Sequence, residues 1–488
     1  MLWADPSVNP PEAGTLGADT RPCCTSSLAG LPASPIRYPC LLGKCASRDH
    51  AAPIPLALRE VRDNKPLIKT IDGRQQNREL PMKCLTRRKI LAAAPGALAV
   101  AALPARAAKK HGPGVTDTEI KIGNTGPYSG PLANGSPFPL SEKAYFEMIN
   151  AQGGINGRKI TWISYDDGYS PPKTVEMTRK LVEEDQVLCL SGSIGTPTNS
   201  AVWHYLNEKK VPQLFPGTGA SKWNDPGGHP WTMGFFINYQ AEGRIYAAYL
   251  LKNKPDAKLG VLYQNDDFGK DYLRGVVEGL GDKAASMIKA KQSYETTDPT
   301  VDSQIIQLQA AGCDALITIA IPKFGALAIR KVAEVNWKPL HILNGIASSV
   351  GATLKPAGLE NAQGIISDTS FKDPTDPQWL NDAGYKQWLA FMDKYYPNGD
   401  KTDNQTVYGY SIGDTTAQIL KQCGDDLTRE NVMRQAANLH NIQLPMLIPG
   451  ITLNSGPTNF QLIEQAQMRR FSGERYVPFG PVISGGIS

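Results

Sequence analysis

The chain has 488 residues, 41% hydrophobic and 20% charged, an ordinary globular composition with enough apolar surface for two or more lobes. Its net charge of +5 arises at one end: residues 1–107 hold 15 of the 51 Lys and Arg and 8 of the 46 Asp and Glu, leaving 36 against 38 for the rest. The bulk of the chain is near neutral, which excludes reading the basic balance as a nucleic-acid footprint.

In chain order, residues 1–81 contain Pro, Ser and Cys without sustained hydrophobic periodicity, and are expected to be an untranslated stretch upstream of a start at Met82 or a disordered extension. Met82–Ala107, MKCLTRRKILAAAPGALAVAALPARA, has a basic head, an apolar middle and a small-residue end, the layout of an export signal. Its TRRKIL is similar to the twin-arginine signal, with Ile90 where that pattern prefers Phe, so the general secretory route stays open. Cleavage is expected at Ala105-Arg106-Ala107. The apolar run from Ile90 to Leu103 is shorter than the ~20 residues that span a bilayer, and Pro95 interrupts it. The expected location is therefore the periplasm. Of eight cysteines only Cys189, Cys313 and Cys423 fall in the mature part, an odd and scattered set read as buried small hydrophobes rather than a disulfide framework.

From Val115 onward short β-rich runs alternate with amphipathic helical runs, the pattern of parallel sheets built from βαβ units. Strands are predicted at 119–123, 159–165, 187–191, 211–215, 259–263, 315–319, 341–343 and 364–366. Helices are predicted at 141–151, 172–184, 199–209, 240–252, 271–281, 301–311, 324–336, 378–395 and 406–422, with a terminal hairpin over 451–456 and 460–470. Two successive sets of units imply two α/β lobes, one from 115–237 plus 372–449 and one from 238–371 plus 450–488. Ligands in such folds sit beyond the carboxyl ends of the strands, so the loops there are the place to look.

Three of those loops are rich in Gly and small hydroxyl residues. IGNTGPYSGP (122–131) offers Tyr128 as a flat face with a hydroxyl, or is simply a tight turn. SGSIGTPTNS (191–200) opens a helix whose first N–H groups favour an anion, with Thr196 as its cap and Pro197 at the first helical position. FPGTGASKWND (215–225) repeats the arrangement, its Gly217 and Gly219 permitting close backbone approach to a ligand. The paired acids Asp166-Asp167 and Asp266-Asp267 are expected to cap helices or meet a partner charge, because adjacent loop residues point apart and make no acid/base couple. His111, His204, His229, His341 and His440 look isolated. No HExxH, GxSxG, phosphate loop or dinucleotide fingerprint is present, so no catalytic residue, metal or cofactor is expected.

Taken together, IKIGNTGPYSGP, INAQGGINGRKI with the acidic strand end that follows, SGSIGTPTNSA, LFPGTGASKW and GVLYQNDDFGKDYLRG resemble the type I periplasmic binding proteins of the leucine/isoleucine/valine family, over Val115 to the C-terminus. The resemblance implies two Rossmann-like lobes with parallel sheets joined by a three-crossover hinge. It also implies a monomeric importer component that closes on a small ligand and presents it to an ABC permease in the inner membrane. Carried over by position, the ligand loops fall on Ser193–Thr196, with Ser193, Gly195 and Thr196, and on Thr218, Gly219 and Ala220. The second lobe contributes Phe268, Ala320 and Asn344. Amino-acid binders of the family place an acid on the loop that here reads LNGIASS, which has none, and an unpaired buried ammonium would be costly. Gly135 also stands near where relatives place an aromatic. The wording is most similar to binders of aromatic carboxylates from lignin breakdown, so a carboxylate without an α-ammonium is the expected ligand. An amino-acid binder, a receptor module and a hydrolase on the same scaffold remain alternatives.

Overall fold

In the computed structural model, which describes residues 109–485, the apolar runs form two sheets. The expected extension, export signal and cleavage site lie outside the described residues. No described helix is long and apolar enough to cross a membrane. After a two-residue strand β1 (Lys110–His111), the first half holds β2 (Glu119–Gly126), α1 (Pro137–Ala151), β3 (Lys159–Asp166), α2 (Pro171–Arg179), β4 (Cys189–Ser191), α3 (Thr196–Glu208), β5 (Gln213–Leu214) and β6 (Thr232–Met233). Its strands run parallel in the order β3-β2-β4-β5-β6. β2 is the central rail: Ile120 and Ile122 are buried on one face, and Gly123 on the other leaves room for Leu181 and Val187.

The second half begins with α4 (Tyr239–Asn253) and continues through β7 (Leu259–Gln264), α5 (Asp267–Leu280), α6 (Ala284–Met287), β8 (Ile288–Tyr294), α7 (Asp302–Ala310), β9 (Ala315–Ile319), α8 (Pro322–Glu334), β10 (Leu340–Leu343), α9 (Lys355–Ala357) and β11 (Ile366–Thr369). The chain then returns as α10 (Ala383–Tyr395), α11 (Asn404–Cys423), β12 (Asp426–Leu427) and α12 (Arg429–Ala436), and finishes in the hairpin β13 (Gln465–Ser472) and β14 (Arg475–Ser484). α10 and α11 pack on α1 through Tyr145, which lies 6.1 Å from Phe391 and 5.1 Å from Tyr410, and β12 pairs with β1. The hairpin instead joins the second sheet, β14-β13-β11-β10-β9-β7-β8. The chain therefore passes between the halves three times.

The structure corrects the reading of the second sheet as purely parallel, because β13 and β14 run antiparallel along its edge. The hairpin also lies later than expected. Segment 451–463 is instead a series of turns with isolated bridges that bury Ile451, Leu453, Leu462 and Ile463, while Gly473, at φ 65°, makes the turn of the true hairpin. β6, β8 and α12 were not anticipated. β8 is an edge strand of sequence IKAKQSY, whose lysines stand on its exposed side and break up any apolar run.

α4 and α5 come into backbone contact where two glycines face each other's chain. A Cβ on Gly243 would lie 2.6 Å from the Tyr272 carbonyl oxygen, and one on Gly275 2.2 Å from that of Gln240. The approach lets Tyr239 and Tyr272 stack at 4.3 Å beside the cleft. Gly275→Ala is expected to force the helices apart and cost about 1–3 kcal/mol of stability. Urea unfolding measures this, and an unchanged midpoint and slope would mean the helices separate freely.

Candidate functional site

The loops after β4 and β5 meet beneath α3. Gly195 precedes the helix at φ 103°, and a Cβ there would sit 2.5 Å from the Tyr169 ring and 2.6 Å from Thr198 Oγ1, so only glycine fits. The cap position is therefore Gly195, and Thr196 is the first helical residue with Pro197 second, one step on from the expected register. Freed from capping, Thr196 Oγ1 lies 2.6 Å from Thr218 Oγ1. Thr218 Oγ1 accepts from the backbone N–H of Ala220 at 3.2 Å and from Trp223 Nε1 at 3.4 Å. The Tyr239 hydroxyl joins the same cluster, hydrogen-bonded to both threonines and to the Gly219 backbone, so three hydroxyls share one network at the opening of α3.

Thr196 faces a cavity between the halves. Aromatic rings make most of the wall: Phe138 from α1, Tyr169, Phe236, Tyr239, Phe268 and Tyr408 from α11. Leu132, Ile194, Ile321 and Ile346 fill between them, and Thr196 and Gln405 supply polar side chains. None of the described residues lining this cavity is charged. A second chamber shares Phe236, Tyr239, Ile346 and Tyr408 with the first, and carries Glu242 and Asp368. Tyr272 donates to Glu242, and Tyr246 donates to Asp368 at 2.5 Å. Burial, together with the charge of Asp368, pushes the Glu242 carboxyl well up, and burial raises Asp368 also, so the two hold a proton between them.

Contacts across the cleft close it. Lys222 pairs with Asp267 at 2.6 Å, the Ser221 N–H and hydroxyl donate to Asp271 at 2.7 and 2.8 Å, and Ser349 donates to Asp403 at 2.8 Å. The paired acids behave as their loop positions suggested. Asp266 caps α5 through the N–H groups of Phe268 and Gly269. Burial opposes ionisation of Asp166, but hydrogen bonds from Ser129 and Lys173 outweigh it and hold the carboxyl at about 2.

Residues 119–472 match the profile of the periplasmic binding protein family. The chain belongs to that family. A Leu/Ile/Val-binding protein homolog of Brucella abortus is 26% identical over 269 residues, 53% of this chain and 64% of that protein, so the chain spans less than two thirds of this relative's length. An amino acid binding protein of Pseudomonas aeruginosa is 21% identical, with 63% and 79% covered. Among solved structures, a branched chain amino acid ABC transporter from Thermus thermophilus with bound valine superposes at a TM-score of 0.69, 15% identical over 76% of this chain and 97% of that one. A fatty acid ABC transporter substrate-binding protein from Thermomonospora curvata does so at 0.65, 22% identical over 77% and 95%. At these identities the likeness fixes the type I periplasmic binding protein fold and not the ligand.

Of the residues picked from this binding protein's sequence, Gly195, Thr196 and Phe268 line the cavity. Thr218 stands behind Thr196. Ser193 turns inward, its Oγ accepting from the Thr125 N–H at 3.0 Å. Gly219 does not open toward a ligand, since a Cβ there would meet the Ile237 carbonyl oxygen at 2.4 Å and the Tyr239 ring at 2.8 Å. Ala220 is buried beside it. Tyr128 lies off the cavity, its hydroxyl 2.7 Å from Ser164 Oγ. The Ala320 N–H donates to Asn344 Oδ1 at 3.0 Å, tying those two to each other, and their neighbours Ile321 and Ile346 line the wall in their place. Phe138, Phe236, Tyr239, Gln405 and Tyr408 were not singled out, although the dense aromatic run FFINY at 235–239 was a visible signal. Two histidines read as isolated are not. α3 and the loop before β6 bring His204 Nδ1 and His229 Nε2 to 3.2 Å, with Asp225 2.7 Å from the other nitrogen of His229. Even so, no group of three or more His, Cys, Asp or Glu among the described residues is placed to hold a metal ion.

Glu142, one turn along α1 from Phe138, is buried beneath the Gly192 loop. Ser191 donates to its Oε1 at 2.5 Å, its other oxygen has no partner, and burial pushes its pKa up to about 8. In the unfolded chain the group ionises near 4.5. The folded state therefore holds the extra proton between these values, and stability falls as pH rises from 4.5 to 8. Glu142→Gln removes this slope, so the variant should gain stability over wild type at pH 8 by roughly 1–4 kcal/mol, and little at pH 4.5. Melting curves at both pH values test it, and parallel losses for the two proteins would sink the assignment.

Proposed function

We propose that this protein is the periplasmic ligand-binding component of an ABC importer, closing on a small carboxylate with an aromatic body and delivering it to an inner-membrane permease. The observation that carries this reading is the cluster of Thr196, Thr218 and Tyr239 hydroxyls at the opening of α3, beside a cavity wall without charged side chains. The first turn of the helix adds unpaired N–H groups and the positive end of its dipole, which together favour a carboxylate. Flat aromatic faces then suit a flat apolar body better than a branched or charged one.

A second reading, a branched-chain amino-acid binder, has one observation in its favour. The acid missing from the 345–349 loop is replaced nearby, since a Cβ on Gly345 would lie 2.7 Å from Glu242 Oε1 and 3.2 Å from Asp368 Oδ1. Those carboxyls line the adjoining chamber and could receive an ammonium.

Calorimetry with benzoate and with leucine separates the two. Benzoate is expected to bind the more tightly and to be recovered unchanged, and Thr196→Val to weaken it by about tenfold, or ~1.4 kcal/mol, with the fold intact. Tighter leucine binding that collapses in Asp368→Asn would transfer the function to amino acids. For export, expression from Met82 should yield a periplasmic protein beginning at Ala108, which N-terminal sequencing checks. Retention of the 82–107 segment would refute a cleaved signal.

A further inference from the structure

Gln405 is the second residue of α11 and lies in the cavity wall, 7% exposed. Its amide nitrogen donates to the Asn134 carbonyl oxygen at 2.8 Å and approaches Asp403 Oδ2 at 3.4 Å. A backbone carbonyl can only accept, and so can a carboxylate. Asp403 is itself held in place by the Ser349 hydroxyl at 2.8 Å and by the Gln405 N–H at 3.0 Å. Burial raises Asp403 to about 6, which leaves it ionised at neutral pH. The side-chain amide therefore cannot turn over. Its NH₂ faces the two acceptors, and its carbonyl oxygen, Oε1, takes the other side.

On that side Oε1 has no hydrogen-bond partner among the described residues. On the Gly135 side, an added Cβ would lie 3.5 Å from Oε1 and 3.0 Å from Leu132 Cγ. The bare glycine thus leaves the carbonyl uncovered. The lining side chains contain no carboxylate and no second amide, so this oxygen is the one fixed side-chain carbonyl acceptor in an otherwise aromatic wall. An acceptor held at a cavity wall is best satisfied by a donor that the ligand brings.

We infer that Gln405 is a specificity-determining residue whose carbonyl oxygen accepts a hydrogen bond from a ligand hydroxyl, so that the preferred ligands are hydroxylated aromatic carboxylates. The inference rests on the aromatic-carboxylate reading above: Thr196 takes the carboxylate, and Gln405 reads a second group on the same molecule. A site built to pair a hydroxyl rejects the analogue that lacks it far more strongly than an apolar pocket rejects a change of one methylene. Gln405 is placed for that kind of discrimination.

Calorimetry with benzoate, its three hydroxy isomers and the matching methoxy isomers tests this on the wild-type protein, without any variant. At least one hydroxybenzoate should bind about tenfold or more tighter than both benzoate and its own methoxy counterpart, which has the bulk without the donor. Gln405→Met keeps the side-chain length and removes the acceptor, and should reduce the ratio of hydroxybenzoate to benzoate affinity to within a factor of about three. Wild-type affinities for benzoate and all hydroxy isomers that agree within a factor of about three would overturn the inference and leave the carboxylate reading standing. A preference that persists undiminished in Gln405→Met would overturn the assignment to this residue. Binding of leucine with no binding of any aromatic acid would overturn both readings together.

Discussion

The hydrogen bond between the Thr196 and Thr218 hydroxyls anchors the polar end of the cleft. It ties the loop after β4 to the loop after β5, with the Ala220 and Trp223 N–H groups holding Thr218 from behind and the Tyr239 hydroxyl bonded to both threonines. Gly195 makes the arrangement possible by folding the chain against the Tyr169 ring at a backbone angle other residues rarely adopt. The neighbouring loops are thus a support for this hydroxyl cluster, and few of their residues touch the cavity themselves.

Closure draws on a different set of forces. The cross-cleft pair Lys222–Asp267 is partly exposed, and such pairs contribute about 0–1 kcal/mol. The Ser221–Asp271 and Ser349–Asp403 bonds are better shielded but exchange for water when the halves part. These contacts set the angle at which the halves meet. The larger gain on closing lies in the aromatic wall, where covering a ring removes apolar surface from water at about 25 cal/mol per Å². A ligand that fills the cavity lets rings from both halves be covered at once, so occupancy and closure are coupled through the wall itself.

The fold was legible in the sequence wherever the physics is local. β2, β3, β7 and β9 are buried or half-buried strands whose apolar content stands out, and they fall at the expected places. β8 escaped because an edge strand alternates with charge, and the final hairpin was displaced because the apolar residues of 451–463 are buried by turns rather than by pairing. The site divides the same way. Thr196 and Gly195 announce themselves by their place at the start of a helix, whereas Phe268 was reached only through the family resemblance. Gln405, Tyr408 and Asp368 belong to segments far along the chain whose local pattern is that of an ordinary helix or strand, and only the returning crossovers bring them to the cleft. The acid absent from the 345–349 loop shows the limit clearly, since a missing residue on one loop says nothing about Glu242 and Asp368 arriving from α4 and β11.

Those buried acids bear on how an anion can be received at all. Glu142 lies under the loop that runs into Gly195, and Glu242 and Asp368 lie in the adjoining chamber. A full negative charge about 8 Å from a bound carboxylate would repel it by roughly 2 kcal/mol at an effective dielectric near 20. Burial meets this difficulty. It holds Glu142 protonated near neutral pH, with Ser191 bonded to one oxygen, and it makes Glu242 and Asp368 share a proton between two tyrosine hydroxyls. The carboxyls keep their hydrogen-bonding shape, and most of their charge is withheld. The first chamber can then remain free of charged side chains while standing next to three acids, and its selectivity passes to the neutral polar groups of its wall, the hydroxyls of Thr196, Tyr169, Tyr239 and Tyr408 and the Gln405 amide.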